Sequence, residues 1–82
     1  MSLNRLDEVF TQKKVQNRVL AKHFDKSEST ISKWRNNKRQ PSIEQFKEIA
    51  QLLRMNIKDL FHDTDWSNDT SETYNDIKTK YK

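Results

Sequence analysis

The sequence predicts an all-α protein: one small, compact five-helix domain followed by a short polar tail. Apolar residues recur at spacings of three and four through residues 1–61, which is typical of helices that bury one face. Strands have no support, because no segment alternates β-branched and polar residues and no Asn-Gly or Asp-Gly pair marks a hairpin. A chain of 82 residues can build only one hydrophobic core. We therefore expect a domain at 1–61 and a tail at 62–82 whose only apolar residues are Trp66, Tyr74, Ile77 and Tyr81.

The first two helices are predicted from their apolar stripes. Helix 1 is expected at about residues 4–13, since Asn4 and Asp7 form a candidate N-cap pair. Its stripe consists of Leu3, Leu6, Val9 and Phe10. Helix 2 is expected at about residues 17–24. Its inward-facing residues are predicted to be Val19, Leu20 and Phe24.

Helix 3 is predicted at about residues 28–36. Ser27 can cap this helix by accepting a hydrogen bond from a backbone N–H of the first turn. Ile31 and Trp34 lie three residues apart and should form the buried edge of the helix. A tryptophan could instead stack on bases, but the spacing from Ile31 favours a core position for Trp34.

Helix 4 has the clearest start in the sequence. Ser42 and Gln45 have the spacing of a capping box. They begin a helical stripe that consists of Ile43, Phe46, Ile49, Ala50 and Leu53. A short fifth helix is expected at about residues 56–61. The tail could form one further helix at 69–82, with Asp69 and Glu72 as its cap, if it finds a partner surface.

The chain contains no glycine, which is unusual for a domain with four or more helix ends. Helices often end on a residue in the left-handed conformation, and glycine adopts that conformation most easily. Asn37 can replace it tolerably, whereas Asp25 and Arg54 are poorer substitutes. We therefore expect Asp25 or Arg54 to be strained, at a cost on the order of 1 kcal/mol, unless their helices end differently.

Residues 15–41 have the spacing of a helix-turn-helix that presents its second helix to a DNA groove. A short apolar helix is followed by a polar break and then by a helix with small or charged residues on its outer face. Residues 13–39 contain nine Lys and Arg against Asp25 and Glu28, a net charge of +7, whereas the whole chain carries +4. Positive charge is thus concentrated where a DNA-reading helix is expected.

Other classes of function have less support. Catalysis is disfavoured, because His23 and His62 lie far apart in sequence and the chain has neither a glycine-rich phosphate loop nor a nucleophile elbow. A metal site at Asp63, Asp65 and Asp69 is disfavoured by a spacing that is wrong for an EF-hand, and no cofactor is expected. The chain has no cysteine. We expect neither a membrane span nor a leader, because the sequence has no apolar run of even ten residues and no charged-then-apolar start. We expect a cytoplasmic protein that is not an enzyme.

Residues 3–61 resemble the phage repressor and Cro-like helix-turn-helix family, also called the XRE family, which has the lambda-repressor-like fold. The matching segments are Val15-Gln16-Asn17 before Leu20-Ala21, Ser27-Glu28-Ser29-Thr30-Ile31-Ser32-Lys33-Trp34, Asn37-Lys38-Arg39-Gln40-Pro41-Ser42, Ile49-Ala50 with Leu53, and Asn56-Ile57-Lys58-Asp59-Leu60-Phe61. The family usually places glycine where Asp25, Asn37 and Arg54 stand. The resemblance implies a DNA-binding domain, and small members of such families include repressors, antitoxins and controller proteins of restriction–modification systems.

Four residues of helix 3 are candidates for base contacts. Burial of Ile31 and Trp34 leaves the opposite face for solvent, and the resemblance implies that this face reads DNA. The candidates are Glu28, Ser29, Ser32 and Lys33. Lysine is suited to guanine, glutamate can accept from cytosine N4, and short serines allow close approach to several bases. In the plain structural alternative, Ser29 and Ser32 are ordinary serines of a helix surface and Glu28 is a favourable charge at the positive start of the helix.

Phosphate contacts are expected at the margins of this helix. Asn17 stands at the start of helix 2, where free N–H groups favour an anion. Lys38 and Arg39 follow helix 3 directly. The further candidates are Arg35 and Lys13 or its neighbour Lys14.

The sequence predicts a transcriptional regulator. We expect a repressor or controller that binds double-stranded DNA as a homodimer. One copy reads only a few base pairs, so selectivity requires two half-sites about 34 Å apart in a palindromic operator. The dimer contact is expected in helix 5 (Ile57, Leu60 and Phe61), which is slightly favoured, or in the tail (Tyr74, Ile77 and Tyr81). The alternative is an antitoxin or protein-interaction module, in which the acidic tail binds a partner protein and DNA binding is secondary.

Overall fold

Five α-helices and one 3-10 helix make up the computed structural model, which describes residues 2–81. The elements are α1 (Leu6–Gln12), α2 (Asn17–Phe24), α3 (Glu28–Arg35), α4 (Ile43–Leu53), the 3-10 helix (Ile57–Leu60) and α5 (Tyr74–Lys80). Among the described residues, the only extended pairing is an isolated antiparallel bridge between Asn4 and Phe61. The predicted all-α fold is therefore confirmed, with a 3-10 helix as the fifth element of the domain.

The core is formed by the first four α-helices and the 3-10 helix. Its fully buried apolar side chains include Leu6, Phe10, Ile31, Phe46, Ile49 and Leu60. Trp34 is 2% exposed and its ring meets Phe24 edge to face, with 5.6 Å between the ring centroids. This burial places Trp34 in the core, as its spacing from Ile31 predicts. Helices α2 and α3 thus pack directly on each other, which is the contact that a helix-turn-helix requires.

The two predicted helix starts have the expected capping bonds. Ser27 Oγ accepts from the Thr30 backbone N–H at 3.1 Å and caps α3. At α4, Ser42 Oγ accepts from the Gln45 N–H at 3.1 Å, and Gln45 Oε1 accepts from the Ser42 N–H at 2.8 Å. This reciprocal pair is the capping box that the sequence predicts.

The first four helices end in the same way although the chain has no glycine. After each of them one residue takes the left-handed conformation, with φ between 54° and 57°: Lys14, Asp25, Asn37 and Arg54. After α3, the Lys38 N–H donates to the Lys33 carbonyl at 3.0 Å and the Asn37 N–H donates to the Trp34 carbonyl at 3.3 Å. Such paired bonds supply donors to the last carbonyl groups of a helix, which have no hydrogen-bond partner within the helix itself. Asp25 and Arg54 adopt the conformation expected to strain them, and Lys14 is a further case that the sequence analysis missed.

Several local predictions are wrong. Helix α1 begins at Leu6 rather than at residue 4, and Asn4 is not its N-cap but a buried residue outside it. Three apolar residues predicted to face inward are largely exposed: Leu3, Val19 and Ile43. Helical spacing gives the direction of a stripe, but the width of the buried face depends on how closely neighbouring helices approach.

The tail lies outside the core. Every residue from 62 to 81 is exposed, and the molecule measures 49 Å along its long axis but only 22 Å and 19 Å across. Helix α5 is shorter than the predicted 69–82 and is capped by Thr73 and Asp76 rather than at Asp69. Lys82, the last residue of the predicted helix, lies outside the described residues.

Candidate nucleic-acid interface

Helix α3 is buried along one side and open along the other. Ile31 and Trp34 anchor it in the core, at 0% and 2% exposure. The outer face carries the four residues predicted to contact bases: Glu28, Ser29, Ser32 and Lys33. Three of these side chains are exposed, and Ser32 is half-buried with its Oγ 3.4 Å from Asn36 Nδ2. Spacings of one, four and five residues place the four on one helix face, so the fold presents them together.

Arg35, predicted as a phosphate contact, lies at the junction of α1, α2 and α3. Its guanidinium donates to Asp7 Oδ1 at 2.9 Å, to Asn17 Oδ1 at 2.9 Å and to Thr11 Oγ1 at 3.1 Å. It also lies 5.5 Å from the centre of the Phe10 ring. All three nitrogens of this guanidinium already donate to protein acceptors. These bonds favour a role for Arg35 in positioning neighbouring side chains over direct contact with a phosphate.

Asn17 occupies the first position of α2. Since Arg35 already donates to the Asn17 Oδ1 atom, the amide Nδ2 remains as the donor that the side chain can offer outward. The first turn of α2 contains no acidic residue, and the nearby Asp7 carboxylate is paired with the Arg35 guanidinium. The structure thus places a side-chain donor and the free N–H groups of a helix start at one point.

The loop after α3 carries Lys38 and Arg39, which are both exposed. The backbone N–H groups of both residues donate to the Lys33 carbonyl, at 3.0 Å and 3.3 Å. Backbone hydrogen bonds therefore connect Lys38 and Arg39, the candidates for phosphate contact, to Lys33, a candidate for base contact. Lys13 and Lys14, the remaining cationic candidates, are exposed at the end of α1.

A buried amide network that the sequence analysis missed holds this loop from the inside. Asn4 is 1% exposed, and its Nδ2 donates to the Trp34 carbonyl at 3.0 Å and to Gln40 Oε1 at 2.7 Å. Asn37 Oδ1 accepts from the N–H groups of Leu3 and Asn4, at 2.9 Å and 2.8 Å, and from Gln40 Nε2 at 3.1 Å. Four of these five bonds join residues 30 to 36 positions apart in the sequence, so local spacing carries no signal for them.

The sequence comparison agrees with this geometry, because a family described as Helix-turn-helix matches residues 6–60. The chain belongs to this family. It is the family of XRE, phage repressor and Cro-like DNA-binding proteins that residues 3–61 resemble. The matched residues include α1 to α4 and the 3-10 helix, so the family assignment covers every residue proposed for DNA contact.

A solved structure of similar sequence has a similar fold. It is described as "a putative DNA-binding protein from Bacteroides fragilis" and is 42% identical to this chain, with a TM-score of 0.69. The match covers 76% of this chain and 100% of that one. A search of curated proteins finds no match.

Two other features are absent from residues 2–81. No helix in this range is long and apolar enough to cross a membrane. Over the same range, no three His, Cys, Asp or Glu side chains come together as a group that could hold a metal ion.

Proposed function

We propose that this protein binds double-stranded DNA in a sequence-specific way and regulates transcription, as a repressor or controller that reads a palindromic operator as a homodimer. The observation that carries the proposal is the arrangement of α3. Its inner side is fixed by Ile31 and Trp34, and its outer side presents a group of polar residues flanked by cations. Membership in the helix-turn-helix family and the described role of the similar structure support it.

In this proposal α3 lies in the major groove. Lys33 donates to guanine O6 or N7, and Glu28 accepts from cytosine N4. Ser29 and Ser32 are short enough to let the helix approach the base edges closely. These contacts carry the sequence information, since hydrogen bonds to base edges distinguish one base pair from another.

Phosphate contacts set the register of α3 in the groove. Asn17 binds one phosphate through its Nδ2 and the start of α2, while Lys38 and Arg39 bind the backbone on the other side of α3. Lys13 adds a further cation at the margin. Arg35 belongs to the same group of residues, and its hydrogen bonds support a role in orienting Asn17 rather than in touching the phosphate itself.

The test begins with selection of bound duplexes from a random pool, which yields the half-site and its spacing. On the selected duplex, Lys33→Ala should weaken binding by about 1 to 3 kcal/mol and relax the preference at one base position, whereas Arg39→Ala should weaken binding to all sequences alike. Lys47→Ala removes one exposed lysine of α4 outside the proposed interface and serves as the charge-matched control. Equal weakening of every sequence by Lys33→Ala would contradict the role given to Lys33.

Salt dependence separates this function from a role in which protein binding dominates. If the dimer neutralises about six to ten phosphates, affinity for DNA should fall roughly 10³- to 10⁵-fold between 50 mM and 200 mM salt. A flat response, or no association with any duplex in dilute buffer, would contradict the proposal. The antitoxin-like alternative would then gain support, because the apolar side chains of α5 are free for a protein partner.

A further inference from the structure

A polar cleft of about 320 Å³ lies between α3 and the start of α4. We call it the α3–α4 cleft. One side is lined by Lys26, Thr30 and Trp34. The other side is lined by Arg39 and by polar residues at the start of α4. Arg39 is already a candidate for phosphate contact, so the cleft borders the proposed DNA interface.

Trp34 brings a buried donor to this cleft. The residue is 2% exposed, and its ring packs against Phe24 in the core. Within residues 2–81, its one hydrogen bond outside the backbone of the helix is the one that its carbonyl accepts from Asn4 Nδ2, and the indole N–H donates to no residue. No sealed side-chain nitrogen or oxygen in this range lacks a partner, so the indole nitrogen reaches solvent. Because Trp34 lines the cleft, its N–H opens there as a donor that still needs an acceptor.

Internal hydrogen bonds leave mainly donors on the other polar side chains of the cleft. In the capping box, Ser42 Oγ and Gln45 Oε1 both act as acceptors. The Ser42 hydroxyl hydrogen and the Gln45 Nε2 group remain to donate outward. Both polar atoms of the Gln40 side chain are already bonded, to Asn4 and Asn37. The cleft therefore suits a ligand that accepts hydrogen bonds.

The charge of the cleft points to an anion. Lys26 and Arg39 are exposed cations, and neither forms an ion pair with any residue that the structure describes. No acidic residue lines the cleft. Glu28 and Glu44 lie in the first turns of α3 and α4, but neither is part of the lining. Two cations and several donors thus face a common space without a carboxylate among them.

The start of α4 adds to this field. This helix has 11 residues, and Ser42 at its N-cap lines the cleft. The first N–H groups of an α-helix have no acceptor within the helix, and the helix dipole places positive potential at the same end. A tetrahedral anion with several acceptor oxygens therefore matches the donors, the cations and the helix start together.

The position of the cleft favours the DNA backbone as the source of this anion. Thr30 follows Ser29 on α3, so the cleft borders the face that is proposed to read bases. Arg39, on the opposite wall, bonds through its backbone N–H to the carbonyl of Lys33. A phosphate seated here would lie directly beside two candidates for base contact.

We propose that the α3–α4 cleft binds one phosphate of the DNA backbone, which accepts from the Trp34 indole N–H and is neutralised by Lys26 and Arg39. This inference rests on the proposed function and adds Trp34 and Lys26 to its phosphate contacts. Lysine and arginine side chains can follow a phosphate over some distance, whereas the core holds the indole in one place. The Trp34 contact therefore fixes the register of α3 in the groove.

Phosphate ethylation interference on the selected duplex tests the role of Trp34. In each half-site, one phosphate whose ethylation blocks the unsubstituted chain should no longer matter to Trp34→Phe, which keeps an aromatic ring in the core but lacks the N–H. Affinity should fall roughly 10- to 100-fold, as expected for a lost hydrogen bond to a charged group. A weaker complex with an unchanged pattern of sensitive phosphates would show that Trp34 acts only through the fold, and would overturn the inference.

Lys26→Ala tests the same phosphate without altering the core. It should remove sensitivity at the position that Trp34→Phe identifies, weaken all sequences alike and lower the salt slope of binding by about one. If Trp34→Phe does not fold, Lys26→Ala should still remove one sensitive phosphate in each half-site. Lys47→Ala is the matched control, because Lys47 is exposed on α4 but does not line the cleft. Equal behaviour of the two lysine variants would overturn the inference.

The indole N–H signal in a nitrogen–proton correlation spectrum distinguishes the possible sources of the anion. The chain has two tryptophans, and Trp66→Phe assigns the signal of Trp34. Saturating duplex should shift this signal, and inorganic phosphate alone should shift it in the same direction only at much higher concentration. A shift with inorganic phosphate but not with duplex would assign the cleft to a free anion. No shift with either would mean that it holds only water, and each of these two results overturns the inference.

Failure of this inference can be told apart from failure of the proposed function. If the selected duplex binds while the Trp34 signal and the pattern of sensitive phosphates do not respond, only the role of the cleft is wrong. If no duplex binds, the proposed function is wrong and the DNA phosphate in the cleft is excluded with it.

Discussion

Arg35 on α3 donates from Nε to Asp7 Oδ1 on α1 across 2.9 Å, while its two terminal nitrogens bond Asn17 and Thr11. One guanidinium thus joins three helices at the edge of the proposed DNA interface. Its planar array of donors suits this task, because three acceptors approach from different directions.

Arg35→Lys should lower the free energy of unfolding by about 1 to 2 kcal/mol. The substitution keeps the charge, but a single ammonium cannot reach all three acceptors, so Asn17 and Thr11 lose their donor. Urea denaturation measures the change. Arg39→Lys is the control, since Arg39 is exposed and should change stability by less than about 0.5 kcal/mol. Equal effects of the two substitutions would show that the three-helix junction adds no stability.

Asn4→Ala should destabilise the domain by about 2 kcal/mol. The Trp34 carbonyl and Gln40 Oε1 would lose the donor that Asn4 Nδ2 supplies, and the Leu6 N–H would lose its acceptor. Asn56→Ala provides the comparison, because Asn56 is exposed and its side chain makes no capping hydrogen bond to the 3-10 helix. If both variants unfold at the same urea concentration, the amide network does not stabilise the fold.

Glycine should be stabilising at two of the left-handed positions and destabilising at a third. Asp25→Gly and Arg54→Gly should each raise stability by about 1 kcal/mol, because glycine lacks the Cβ clash of this conformation. For a domain of this size, that corresponds to a rise in melting temperature of roughly 4 to 8 °C.

Asn37→Gly should instead lower the melting temperature, although Asn37 has the same backbone conformation. Its carboxamide accepts from the N–H groups of Leu3 and Asn4, and glycine would leave both without that acceptor. Thermal unfolding followed by circular dichroism compares the three variants. Stabilisation at all three positions would show that backbone strain outweighs the side-chain bonds of Asn37.

Acid should weaken the domain in part through Glu8. A hydrogen bond from Arg5, together with its positive charge, lowers the pKa of the Glu8 carboxyl below its ordinary value, and the same bond raises the pKa of Arg5. A carboxyl with a depressed pKa in the folded state stabilises the fold above its unfolded pKa, about 4.3. That stabilisation is lost as pH falls through the lower pKa of the folded state.

Glu8→Gln should therefore lower stability slightly near neutrality, where the Glu8 carboxylate is charged, and its difference from the unsubstituted chain should disappear as pH falls below about 4.3 and through the depressed pKa of Glu8. Urea midpoints measured from pH 7 down to pH 3 test this. Both side chains are partly exposed, so the difference should be small and should shrink in high salt. Identical pH profiles for the two proteins would contradict the prediction.

Much of the fold was predictable because short-range rules govern it. The capping box of Ser42 and Gln45 is read from residues three apart, and the burial of Ile31 and Trp34 follows from helical spacing. The four outward residues of α3 were predictable for the same reason. Once the buried edge of a helix is known, the opposite face is known as well.

Other features depend on contacts between residues distant in sequence. Asn4 looked like a helix cap, yet it bonds Trp34 and Gln40 from inside the domain. Arg35 looked like a free cation, yet Asp7 and Asn17 hold it. A polar side chain can satisfy its hydrogen bonds locally, in water or across the fold, and composition alone does not distinguish these cases.

The amino-acid sequence by itself determined the all-α architecture, the order of the helices and the position of α3, because helical period and capping act over three or four residues. Only the tertiary structure decided which polar groups lock α3 in place and which apolar residues stay exposed. Val19 shows the difference: it lies on the predicted inner side of α2, but it is 56% exposed, in a shallow groove between α2 and the end of α4.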